Sequence, residues 1–242
     1  MNLDFLASMT LAAQALLLPG ILVFSSRLDS AQRAVLLGIA GGWLLLVAGL
    51  AAAGLFSVSV YGTPFVGVAF ALPVITVLLL RARSTTLLTL LTTIPLTVLV
   101  AVHVGRLLGV EFLLLHAAGR LPATFAFSAG WGDIIVASAS VPLAFAVQRR
   151  MRGWRSLVLL WNFVGVADLI AAVALGAGSA AGSPIRFIYA EPSSALMGTL
   201  PWFLVPGYLV PLYLISHVAI FFRLMSAEQL RLPTAALSSP AI

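Results

Sequence analysis

The stretch His103-Val-Gly-Arg106-Leu-Leu-Gly-Val-Glu111 decides the architecture, because it places an arginine and a glutamate inside a run that is otherwise apolar. A helix turns by about 100° per residue, so Arg106 and Glu111 lie about 140° apart around it. Lipid cannot solvate a charged side chain, so neither Arg106 nor Glu111 is expected to face it. Gly105 and Gly109 form a GxxxG pair, which lets a neighbouring backbone approach closely. The stretch therefore predicts a central transmembrane helix that other helices or a water-filled cavity surround.

The composition of the whole chain is typical of a polytopic membrane protein. Hydrophobic residues make up 62% of its 242 residues and charged residues only 8%. The absence of cysteine excludes disulfides, thiolate metal sites, Fe–S clusters and c-type haem attachment. The sequence also contains no lysine, which excludes a retinal Schiff base. We predict no nucleic-acid partner, since the arginines lie in short loops beside apolar segments. We predict no metal, since His116 is expected near the opposite surface from the other two histidines.

Apolar runs of suitable length predict an all-α bundle with seven transmembrane helices. Their expected positions are about 5–24, 34–55, 65–80, 94–118, 133–147, 154–176 and 201–222. Residues 85–93 are rich in Leu and Thr and could be an interfacial helix or the first turns of the fourth span, with a bend near Pro95. We expect one bundle over residues 1–232 and a flexible cytoplasmic tail at 233–242.

The distribution of arginines predicts the orientation of the bundle. The loops after the first, third and fifth spans and the tail contain Arg27, Arg33, Arg81, Arg83, Arg149, Arg150, Arg152, Arg155, Arg223 and Arg231. The opposite side contains Arg120 and Arg186. Because arginine-rich loops stay in the cytoplasm, the N-terminus is expected outside and the C-terminus inside a bacterial inner (plasma) membrane.

Polar side chains at matching depths predict an outward-facing pocket for a ligand. Counting about 1.5 Å per residue places Arg106 near mid-membrane and the other members towards the outer surface. The expected pocket residues are Arg106, Glu111, His116, Asp133, Asp168 and Glu191.

Three of the pocket residues, Arg106, Asp168 and Asp133, also have a structural interpretation. Glu111 does not share a helix face with Arg106, so the expected partner of Arg106 is Asp168 or a bound anion. Asp168 could serve only to neutralise the arginine. Asp133 follows Gly132 at a predicted helix start, where an aspartate is a common cap.

Two histidines leave a cofactor alternative open, although no cofactor is predicted. His103 and His217 lie at similar depth on different helices and could ligate a b-type haem. Tyr213 is four residues before His217 on the same face and could instead be its hydrogen-bond partner. No HExxH, GxSxG or phosphate-binding glycine loop occurs, so no catalytic residue is predicted.

The order of several short motifs resembles a family of uncharacterised bacterial integral membrane proteins. The motifs are Arg106–Glu111, Gly119–Pro122, Gly130–Ile134, Val141-Pro142, Trp161-Asn162 and Ser216-His217. The resemblance covers the second half of the chain. It implies a membrane bundle and carries no known activity.

These features predict a protein that binds or translocates a small solute, ion or proton. One alternative is a non-catalytic subunit or scaffold of a larger membrane complex, which would have membrane-protein partners. Another is a membrane-embedded enzyme that modifies lipid, so the question of enzymatic activity stays open. The lipid bilayer is a partner in every case.

Overall fold

The computed structural model describes residues 2–57 and 62–229, which form helices and, within these ranges, no strand. The helices are α1 Leu3–Phe24, α2 Ser30–Ala52, α3 Gly62–Leu80, α4 Thr85–Thr93, α5 Leu96–Ala117, α6 Ala123–Gln148, α7 Trp154–Ser179 and α8 Val210–Gln229. A wider, π-helical turn, Val205–Leu209, leads into α8. The predicted flexible tail at 233–242 lies outside the described residues.

Six helices in the described part of the chain are long and apolar enough to cross a membrane. They are α1, α2, α5, α6, α7 and α8 with its preceding turn. Helices α3 and α4 add a seventh span if the two count as one bent element, since their axes differ by 101°. The chain is therefore an all-helical, multi-pass membrane protein with six or seven candidate spans.

Helix α5 changes from an α-helix to a 3₁₀ helix close to His103. Ile94 and Pro95 have ψ angles of 129° and 134°, outside the helical range, and they separate α5 from α4. The bend expected at Pro95 is confirmed, and residues 85–93 form a helix of their own. The segment Val102–Gly109 then winds as a tighter 3₁₀ helix. Such a segment inside a longer helix often marks a functional position, and this one contains His103 and Arg106.

Helix α6 begins at Ala123, so the prediction that the fifth span starts at Asp133 is wrong. Pro122 occupies the cap position before the first turn, where its missing N–H removes no helical hydrogen bond. The helix continues without a break through Gly130 and Gly132, which looked like loop residues. Asp133 consequently lies inside a helix of 26 residues and is not a helix cap.

Contacts between glycines bring α5 and α6 unusually close together. A Cβ atom on Gly109 would lie 2.9 Å from the carbonyl oxygen of Gly130, and one on Gly130 would lie 3.0 Å from that of Gly109. Gly105 faces a different direction, towards the side chains of Gln14 on α1 and Tyr213 on α8. The GxxxG pair therefore serves two contacts, which together place α5 in the centre of the bundle.

Polar contacts tie the helices together at both ends of the bundle. At one end, a carboxylate oxygen of Asp4 accepts hydrogen bonds from Arg120 at 3.0 Å and from the Trp202 indole at 2.9 Å. At the other end, Arg223 donates to the carbonyl of Thr92. The Asp4–Arg120 pair is partly exposed, so we expect it to contribute less than about 1 kcal/mol to stability.

Candidate functional site

The guanidinium of Arg106 lies in the centre of the bundle between two carboxylates. Its Nε donates to Asp133 Oδ1 at 2.6 Å, and its Nη2 donates to Asp168 Oδ2. The arginine side chain is 1% exposed, and those of the two aspartates are 16% and 12% exposed. The predicted pairing of Arg106 with Asp168 is confirmed, and Asp133 is a second partner on α6. We call these three residues the Arg106 cluster.

The Arg106 cluster contains more acid than base. One guanidinium and two ionised carboxylates have a formal charge of +1 − 2 = −1. An isolated charge in apolar surroundings is costly unless a partner neutralises it. A bound anion, which was the alternative partner expected for Arg106, would increase this surplus. A proton or a cation would remove it.

Glycines on α6 and α7 make the room that the Arg106 cluster needs. A Cβ atom on Gly132 would overlap the carboxylate of Asp168. A Cβ atom on Gly165 would lie 2.5 Å from Cε1 and 2.7 Å from Nε2 of His217. The carbonyl oxygen of Gly165 also accepts a long contact of 3.5 Å from Arg106 Nη1. Residues of any other type at these two positions would displace a member of the site.

His217 extends the Arg106 cluster by a second layer of hydrogen bonds. Its Nε2 lies 3.5 Å from Arg106 Nη1, and because a guanidinium only donates, this nitrogen is the acceptor. The proton is therefore on Nδ1, which donates to Asn162 Oδ1 at 2.7 Å. The side-chain Nδ2 of Asn162 donates a hydrogen bond of 3.2 Å to the His217 carbonyl oxygen. Tyr213, the partner expected for His217, bonds to Gln14 instead.

The geometry of the two histidines does not fit a haem between them. Their ring centroids are 4.2 Å apart, so the rings are in direct contact. Axial histidines lie on opposite faces of a haem iron, with the macrocycle between them. His103 instead bonds through Nε2 to Ser216 at 2.8 Å. Within the described residues, no group of three His, Asp or Glu side chains is close enough to hold a metal ion.

Glu111 lines a small cavity together with Arg106 and Asp133 of the Arg106 cluster. It accepts a hydrogen bond of 2.6 Å from Thr10 on α1 and makes no ion pair with Arg106. The cavity has a volume of about 30 Å³, and Gln14, Arg106, Glu111, Asp133 and Tyr213 are the polar residues that line it. A cavity of this volume has room for one or two water molecules.

A much larger cavity, of about 470 Å³, also has Asp133 in its wall. We call it the large cavity. Residues of α3, α6 and α7 line it, together with the segments Ser194–Gly198 and Val205–Leu209. Its walls are almost entirely apolar, and Asp133 is the charged side chain that the described residues contribute to them. The volume falls within the range of small-molecule binding sites.

Two of the expected pocket residues lie away from the Arg106 cluster. The ring of His116 bonds through Nδ1 to the carbonyl of Leu121 at 3.0 Å, at the end of α5. Glu191 is exposed and pairs with Arg186 at 3.4 Å in the loop after α7. Neither residue lines the small or the large cavity. The structure therefore does not bring these two residues together with the other four.

Sequence analysis missed several residues that bond to the site. Thr10 and Gln14 are four residues apart and so share one face of α1, which is a signal that could have identified them. Asn162 and Ser216 are completely buried polar residues in apolar helices. Their polar character was visible, but the partners that satisfy them come from distant parts of the chain.

The comparison with protein families matches residues 63–225 to a domain of unknown function, DUF8737. The chain belongs to the DUF8737 family. The match covers about two thirds of the chain and starts earlier than the second half, where the resemblance was expected. The Arg106 cluster and His217 lie inside the matched residues of this DUF8737 protein, whereas Thr10 and Gln14 lie before them. No curated protein and no solved structure matches the chain.

Proposed function

We propose that this DUF8737 protein lies in the inner (plasma) membrane of a bacterium and translocates a small solute, ion or proton. Its binding site would be the Arg106 cluster. The observation that carries the proposal is the second aspartate. A structural arginine needs one carboxylate to neutralise it, and Arg106 contacts two. The surplus negative charge is a binding site for a proton or for a cationic group.

The cavities and the irregular backbone around the Arg106 cluster support translocation through this site. Asp133 lines both the small cavity and the large cavity. The π-helical turn Val205–Leu209 borders both cavities and contains Pro206, which lacks the N–H that a regular helix would use. Irregular backbone at membrane depth is found where it lines a cavity, as it does here.

A proton-flux measurement tests the proposal. Purified protein is placed in phosphatidylcholine liposomes that contain a pH-sensitive dye, and valinomycin with a potassium gradient makes the interior negative. We expect protein-containing liposomes to acidify faster than protein-free ones. Asp168→Asn should reduce the rate to that of protein-free liposomes, because Asp133 still neutralises Arg106 while the surplus charge is gone.

The matched control is Asp29→Asn, the same chemical change at a residue that caps α2 at the end of the bundle. Its flux should equal that of the unmodified protein. If liposomes with and without protein acidify alike, proton translocation is wrong. Co-purification of further membrane proteins would then favour the alternative role, a non-catalytic subunit of a larger complex.

We also propose seven spans with the N-terminus outside and the C-terminus inside. The clustering of Arg27, Arg81 and Arg223 near α4 supports this: Arg27 N donates to Thr93, Arg81 lies over the Phe222 ring, and Arg223 bonds to Thr92. A cytoplasm-active reporter fused after Arg231 should be active, and the same reporter inserted near Ser183 should be inactive. Activity at Ser183 would contradict this orientation.

A further inference from the structure

The volume and the walls of the large cavity limit the class of molecule that can bind there. It borders α6 and α7, where Phe125 and Ala129 precede Asp133 on the same face of α6. A volume of about 470 Å³ is large enough for a small organic molecule or for a folded alkyl chain. Apolar walls favour an apolar body over a hydrated ion.

Polar groups on the cavity wall limit what the head of such a molecule can be. The hydroxyl of Ser57 donates to Gly54 O and that of Ser194 donates to Gly176 O, each at 2.6 Å, so both protons are already used. Asp133 uses one carboxylate oxygen for Arg106. Its other oxygen, Oδ2, makes no hydrogen bond within residues 2–57 and 62–229, and the side chain keeps 16% of its surface exposed. The wall therefore presents a hydrogen-bond acceptor with negative charge.

We propose that the large cavity binds an amphiphilic monocation, an apolar chain or ring system with one amine head that donates to Asp133. The head would neutralise the surplus charge of the Arg106 cluster, and the body would fill the apolar part. The inference rests on the proposed function, for which it names the substrate class. An anionic head would be repelled by both aspartates, and a neutral head would leave the surplus charge in place.

Cysteine protection tests this inference, because the natural chain contains no cysteine. Ala177→Cys places one thiol on the cavity wall, and the full chain is inserted into phosphatidylcholine nanodiscs. The measured quantity is the rate of maleimide labelling with dodecylamine, dodecanol or dodecanoate present. We expect dodecylamine to slow labelling in a saturable manner, and dodecanoate to leave the rate unchanged. Equal protection by all three compounds would overturn the inference.

Two variants separate the contribution of the Asp133 charge from that of the volume of the large cavity. Asp133→Asn, combined with Ala177→Cys, keeps the Arg106–Asp168 pair and should weaken protection by dodecylamine about tenfold, which corresponds to about 1.4 kcal/mol. Ala174→Trp fills part of the cavity without altering its charge, and it should abolish protection. Protection that neither variant changes would show that the amine binds elsewhere and overturn the inference.

A single cysteine at Ile39 is the control for effects of the amine on the bilayer. Ile39 is exposed on α2 and does not line the large cavity. Dodecylamine should leave its labelling rate unchanged, and an equal slowing at Ile39 and Ala177 would overturn the inference. Protection without proton flux would support this inference while removing proton translocation from the proposed function. Flux without protection would remove the inference alone.

Discussion

Exchanging both aspartates of the Arg106 cluster for asparagine should abolish folded protein, whereas each single exchange should be tolerated. Arg106 keeps its charge at every accessible pH. With either Asp133 or Asp168 in place, the guanidinium still contacts one carboxylate. With neither, a charge that is 1% exposed has no counter-ion among the described residues, a situation that typically costs about 3–5 kcal/mol. The yield of monodisperse protein after detergent extraction and size-exclusion chromatography measures the effect.

A third substitution tests whether the loss of folded protein is due to the unpaired charge of Arg106. Adding Arg106→Met to the Asp133→Asn and Asp168→Asn double variant removes the unpaired charge and should restore part of the yield. The control for two asparagine exchanges is Asp4→Asn with Asp29→Asn, at the ends of α1 and α2, which should fold normally. A double variant as stable as the two singles would mean that water reaches the guanidinium. The cluster would then not be desolvated.

Gly165→Ala should destabilise the protein by about 1–3 kcal/mol, the usual cost of an extra methyl group in a packed core. The new Cβ would lie 2.5 Å from Cε1 of His217 and 3.4 Å from Nη1 of Arg106. Either His217 moves away from Asn162 or α7 moves away from the cluster, and both changes break buried hydrogen bonds. Thermal unfolding in detergent, followed by tryptophan fluorescence, gives the change in stability. Proton flux should fall in the same variant, because either movement removes a contact of the Arg106 guanidinium.

Gly41→Ala is the matched control, since it is the same substitution in the middle of another helix. A Cβ at Gly41 on α2 would have no atom within 4 Å. Removing a helix glycine where there is room should be neutral, or should stabilise by up to about 1 kcal/mol. If both alanine variants unfold at the same temperature, the close contact between Gly165 and His217 does not exist.

Much of the Arg106 cluster could be predicted from sequence because a charge inside an apolar run needs a partner. Asp168 was recognisable as that partner, since it lies inside another apolar run at a compatible depth. Asp133 was misinterpreted because Gly130 and Gly132 resemble a loop. In the bundle these glycines are helical, and they are glycines because neighbouring atoms lie where their Cβ atoms would be. Single-chain patterns do not distinguish a glycine that breaks a helix from one that lets two helices touch.

The sequence by itself determined that the chain is a helical membrane protein, and that Arg106 lies inside an apolar run and needs a partner, either Asp168 on another helix or a bound anion. Those conclusions depend on hydropathy and on the cost of burying charge, which are properties of local composition. Tertiary structure alone decided that Arg106 contacts two acids, that Glu111 bonds to Thr10, and that Asp133 lines both a small cavity and a large one. These facts depend on how α1, α5, α6 and α7 rotate about their axes. Side-chain packing between distant segments sets that rotation, and no pattern within one segment encodes it.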